Sequence, residues 1–137
     1  MEYTIKINMS PLGPAKLVGR DLVFPQVDKA PGIYRIRSGT SSYVGETTNF
    51  FRRFGGFRKP GGNENTIAPR TNRRIQRWLI EELEHGNEPL IEVCVEAQLL
   101  TEGGQSTLDL STKDQRLLIE NLLIHDERRA GRTLKNL

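Results

Sequence analysis

Three adjoining segments read as a β-hairpin: Gly32-Ile33-Tyr34-Arg35-Ile36-Arg37, the turn chemistry of Ser38-Gly39-Thr40-Ser41, and the returning Ser42-Tyr43-Val44-Gly45. A hairpin commits a chain of 137 residues to an antiparallel sheet inside one compact domain, since two ordinary domains do not fit this length. Hydrophobic residues make up 36% of the chain, enough for a core. No apolar run approaches the ~18 residues of a membrane span. The N-terminus alternates polar and apolar residues instead of offering a leader's continuous apolar stretch, so a cytoplasmic protein is expected. Cys94 is the sole cysteine, which excludes an internal disulfide and a cysteine-based zinc site.

Around the hairpin the chain punctuates itself. Tyr3–Asn8 reads as a strand, Leu22–Phe24 as irregular chain or a short strand, and residues 1–30 as an N-terminal arm or extra strand before a main unit over 31–137. Thr47 or Thr48 can N-cap a short helix through Phe50, Phe51 and Phe54. Gly55–Pro69 has no helical period and is expected to be a long loop. A helix follows over Thr71–His85, with Ile75, Trp78, Leu79 and Leu83 on one stripe and Gly86 at its end. Pro89–Ala97 reads as a strand, followed by a glycine-rich loop at Gly103-Gly104. Thr112 and Gln115 have capping-box spacing before a last helix that reaches Ala130 and stops at Gly131. The expected fold is α+β: a small three-stranded antiparallel sheet flanked by helices, with an N-terminal extension.

Charge is concentrated. The net charge is +3, yet the segment from Arg52 to Arg77 holds eight basic residues against the single acid Glu64, leaving the remainder acidic. Arginine dominates, and its planar fork suits phosphate oxygens. The segment is either a solvated basic surface or a face for a polyanion.

The last helix carries Leu117, Leu118, Ile119, Leu122, Leu123 and Ile124 in every quadrant, a pattern expected of a buried helix. Glu120 sits within that run. A carboxylate there must be paired, protonated or bound to a cation. It either pairs with an arginine such as Arg116, or it faces a cleft as a metal ligand completed by water and phosphate oxygens.

The tripeptide Gly32-Ile33-Tyr34, the nine-residue step from Tyr34 to Tyr43, and Tyr43-Val44-Gly45 together resemble the GIY-YIG nuclease family. Arg53, ten residues after Tyr43, matches that family's helix arginine, and Glu120 on a late helix matches its single metal-binding glutamate. The likeness covers roughly residues 31–130. It implies a metal-dependent DNA endonuclease with Tyr34, Tyr43, Arg53 and Glu120 as catalytic residues and Mg²⁺ or Mn²⁺ on Glu120. Arg53 would hold the phosphate, Tyr34 would orient or deprotonate the attacking water, and Tyr43 would assist. A tyrosine base requires cations to lower its pKa from near 10.

The chain departs from the family at three points. Phe57 stands where a Tyr or His is usual, Glu46 where a lysine often follows the second motif, and Arg132 where an asparagine is common, the nearest being Asn136. These set it apart from excision-repair and phage homing enzymes. They leave a restriction-endonuclease-like branch, or a non-catalytic nucleic-acid-binding domain that keeps the fold. Arg58, Lys59, Arg70, Arg73, Arg74 and Arg77 are the expected contacts to backbone phosphates. One active site cuts one strand, so cutting both calls for a homodimer or two successive events. His125 points away from Glu120, His85 belongs to a helix end, and Trp78 and Cys94 read as core residues.

Overall fold

The computed structural model describes residues 1–61 and 67–136 of the chain. Its elements are β1 (Thr4–Pro14), β2 (Lys16–Val18), β3 (Asp21–Val23), β4 (Gly32–Ser38), β5 (Ser41–Thr47), α1 (Phe50–Arg58), α2 (Ile67–Glu84), β6 (Leu90–Thr101), β7 (Gly104–Thr107), α3 (Lys113–Arg129) and β8 (Thr133–Leu134). The hairpin pairs as its sequence dictates, with Tyr34 opposite Gly45 and Ile36 opposite Tyr43.

The class is α+β, but the expected small three-stranded antiparallel sheet is wrong. The main sheet has six strands in the order β1-β6-β4-β5-β8, with β7 also on β6, and it is mixed because β8 runs parallel to β5. Two causes enlarge it. The alternation that begins near Tyr3 continues to Pro14, so β1 pairs along most of β6. In addition, β6 runs past Ala97 to Thr101 and turns at Glu102-Gly103 into β7, where a loop was expected. A separate hairpin joins β2 and β3.

The sheet lies between helices. On one face Tyr34, Ile36, Tyr43, Ile91 and Val93 pack with Phe50, Phe54 and Phe57 of α1 and Ile75, Trp78 and Leu79 of α2. On the other, Ile33, Val44, Cys94 and Ala97 meet Ile119 and Leu123 of α3. Strands β4 and β5 are therefore covered on both sides.

Helix ends differ from expectation in instructive ways. Asn49, not Thr47 or Thr48, caps α1: its Oδ1 accepts from Arg52 N, while Thr47 Oγ1 accepts from Asn49 N. Helix α1 runs through Gly55-Gly56 to Arg58 because Phe54 and Phe57 bury themselves on the sheet, an instance of packing overriding glycine's poor propensity. The remainder of the expected Gly55–Pro69 loop lies partly outside the described residues, and α2 already begins at Ile67. Thr112 sits at the N-cap of α3, but the capping box does not form. Its hydroxyl donates to Asp109 O, and Gln115 Oε1 accepts from Asp109 N. Nor is α3 buried all round, since Leu118 and Leu122 are exposed.

Candidate active site

Strand alternation sends Tyr34 and Tyr43 to the same face of neighbouring strands, with ring centroids 6.0 Å apart. Gly45, directly opposite Tyr34, leaves room for that ring: a Cβ at Gly45 would overlap the Tyr34 hydroxyl. Gly32 makes room for other neighbours, because a Cβ there would strike the Cys94 carbonyl and the Phe50 ring. The glycines of both tripeptides are thus steric requirements.

Arg53 crosses from α1 onto this pair. Its Nε donates to Tyr34 Oη at 3.1 Å, and its Nη1 donates to Asn72 Oδ1 of α2 at 2.7 Å. The guanidinium carbon lies 4.5 Å from the centre of the Phe57 ring. Phe57, fully buried, therefore forms an aromatic floor beneath the arginine.

Glu120 enters from α3. Tyr34, Tyr43, Arg53 and Glu120 line one cleft of about 740 Å³, together with Glu46, Thr71, Arg74, Lys113 and Asn136. All four residues expected to be catalytic therefore meet in one place. A second hollow of about 610 Å³ lies beside α1 with largely apolar walls, and its only ionisable lining groups are Asp28 and Arg58. Converging titratable groups make the tyrosine cleft the candidate site.

The electrostatics of the cleft are uneven. Burial pushes the Tyr34 phenol well above its ordinary value of 10.0, the neighbouring Tyr43 adds to the rise, and Arg53 opposes it without prevailing. Burial also raises the Glu120 carboxyl, Glu46 raises it further, and a hydrogen bond from the Glu46 backbone and the charge of Lys113 pull it down. The alternative pairing of Glu120 with Arg116 is not adopted. Arg116 is buried and binds Glu46 instead, Nε to Oε2 at 2.6 Å, with Nη1 donating to Leu110 O. Among the described residues Glu120 has no ion-pair partner, and no three His, Cys, Asp or Glu side chains gather as a metal cage. One half-buried carboxylate open to a cleft suits a hard cation that keeps water and phosphate oxygens as its other ligands.

Of the expected phosphate contacts, Arg58, Lys59, Arg70 and Arg77 are exposed outside the cleft, and Arg73 is half-buried. Arg74 does line the cleft, where its Nη1 donates to the Lys135 carbonyl. Asn136 reaches the same wall by binding β5, its Oδ1 accepting from Val44 N and its Nδ2 donating to Val44 O. The residue at the family's asparagine position, Arg132, instead binds Glu127 and Ser42 behind the sheet. Nothing in the spacing of Asn72 and Lys113 separates them from ordinary surface polar residues, and Glu46 stands out in the sequence only as a departure from the family's usual lysine.

No family model matches the sequence, and no curated protein matches it. Among solved structures, a mutant of bacteriophage T4 EndoII shares the fold: 15% identity, TM-score 0.57, covering 85% of this chain and 88% of that one. The likeness is one of fold. No helix among the described residues is long and apolar enough to cross a membrane.

Proposed function

We propose that this chain is a GIY-YIG-type, metal-dependent endonuclease that hydrolyses DNA phosphodiester bonds. The observation that carries the reading is the meeting of Tyr34, Tyr43, Arg53 and Glu120, from four separate elements, in one cleft. The fold shared with EndoII, an endonuclease by its name, supports it.

Glu120 would hold Mg²⁺ or Mn²⁺, which when bound supplies charge stabilisation at the phosphoryl and leaving oxygens. The chain's own groups divide the remaining work. Arg53, fixed through Nε and Nη1, directs positive charge to the scissile phosphate through charge-assisted hydrogen bonds. Tyr34 keeps its proton at neutral pH, so its role is to orient: its oxygen accepts from Arg53 and its hydroxyl is hydrogen-bonded to Tyr43, so the two phenols hold the arginine in place. Tyr43 borders the same space. The exposed Arg58, Lys59, Arg70 and Arg77 would give backbone affinity without reading sequence.

Incubating supercoiled plasmid with the protein and Mg²⁺ should produce nicked circles first, because a single cleft cuts one strand. EDTA should abolish the reaction. Glu120→Gln should keep fold and DNA binding and lose cleavage. Wild-type rates in the Gln variant would remove Glu120 from the site. Binding without cleavage by the wild-type chain, with every divalent cation tried, would favour a non-catalytic DNA-binding domain.

A further inference from the structure

We propose that Asn72 is a positioning residue that sets the plane and rotation of the Arg53 guanidinium; its effect on turnover rests on the nuclease reading above. Four side chains engage that guanidinium. Tyr34 Oη takes Nε, Asn72 Oδ1 takes Nη1, the Phe57 ring lies beneath the plane, and the Tyr43 hydroxyl also hydrogen-bonds the group. A ring contact resists tilting but leaves the group free to spin, and the two tyrosines hold it from the sheet side only. The hydrogen bond to Asn72, 19 residues away in sequence and on a different helix, locks the fork from the other side.

The approach of Asn72 is itself built in. On α1, Gly56 faces Asn72 so closely that a Cβ there would come within 3.0 Å of the Asn72 amide nitrogen. Helices α1 and α2 therefore meet at a glycine, and the amide reaches past it to Arg53. Asn72 supplies an acceptor without a charge. The full positive charge of the guanidinium thus remains available to a phosphate, which a carboxylate at this position would partly neutralise. Misplacing a phosphate-binding group by about 1 Å costs on the order of 10²-fold in rate, so removal of this bond should register in turnover.

The test uses the whole chain with Asn72→Ala and Asn72→Asp. Three quantities are measured: turnover at saturating plasmid with Mg²⁺, affinity for the same DNA in EDTA, and rotation about the Arg53 Cζ–Nη bonds by ¹⁵N NMR without DNA. Asn72→Ala should lower turnover about 10–100-fold, change affinity less than about twofold, and release the rotation. Asn72→Asp keeps the acceptor, so rotation should stay slow and turnover should exceed that of the Ala variant. Wild-type turnover with slow rotation in Asn72→Ala would overturn the proposal. Should that variant melt before assay, Asn72→Asp decides: freed rotation in a folded protein overturns it, and slow rotation upholds it. If the wild-type chain cleaves no DNA, the nuclease reading fails. The NMR comparison then still judges Asn72, with unchanged rotation in Asn72→Ala counting against it.

Discussion

Tyr34 has no exposed surface, yet its hydroxyl sits at the wall of a cleft and takes a hydrogen bond from Arg53. Burial raises its pKa more than Arg53 lowers it, so the phenol stays neutral across the working range. A raised folded pKa means that the stability gained from burying the neutral phenol is complete below its unfolded value near 10. That stability fades as pH rises above it. Tyr34→Phe should therefore flatten the fall in Tm above pH 10. It should also lower cleavage at neutral pH by up to ~10²–10⁴-fold. Thermal melts from pH 7 to 11 beside nicking rates check both. An unchanged alkaline limb with intact nicking would leave Tyr34 as a packing residue.

At the scale of the element, α3 joins two different carboxylates to the sheet. Arg116, Ile119, Leu123 and Glu127 form its buried stripe, and Glu120 lies beside that stripe at the cleft's edge. The fully buried acid is Glu127, seven residues beyond the one expected. Arg37 Nη2 lies 2.5 Å from its Oε1, Arg35 Nη1 lies 3.1 Å from the same oxygen, and Arg132 Nε lies 3.1 Å from its Oε2. Ser42 Oγ donates to it at 2.8 Å. Burial raises the Glu127 carboxyl, but the Arg37 and Ser42 hydrogen bonds and the arginine charges outweigh it and hold the pKa below 4.5. A depressed pKa gives stability that is present above the unfolded value and lost as pH falls through the folded one. Glu127→Gln should cost on the order of 3 kcal/mol at pH 7, because buried arginine charge is left uncompensated. The gap to wild type should narrow below pH 4.5, a trend that Tm measured against pH would reveal. A constant gap would mean that Glu127 does not titrate with folding.

For the molecule as a whole, the basic segment divides by burial. Arg70 and Arg77 are exposed on α2, whereas Arg74 is tied to the Lys135 carbonyl inside the cleft. The double variant Arg70→Ala/Arg77→Ala should weaken DNA binding and lower the slope of log K against log salt by up to ~0.9 for each phosphate that is no longer neutralised. Turnover at saturating DNA should hold. Salt titrations of affinity beside saturation kinetics test this, and a salt slope equal to wild type would move the DNA track off α2.

The hairpin was legible because its strand register is local: alternation and turn chemistry alone pair Tyr34 with Gly45 and bring the two tyrosines to one face. Glu120 was legible as a carboxylate out of place in an apolar helical run, whereas Arg53 was legible only through family spacing, which stands in for contacts that no local period encodes. The width of the sheet was not legible, since β1 and β8 join it through partners dozens of residues distant. The same holds for Asn72, Asn136 and the arginines around Glu127. Each is an ordinary polar residue in its own segment, and its role depends on which distant side chain the fold sets beside it. Sequence by itself determined what repeats along the chain, namely strand and helix periods, breakers and the clustering of charge. Tertiary structure alone decided which polar groups lose water and must find partners, because that cost arises only when separate elements close over them.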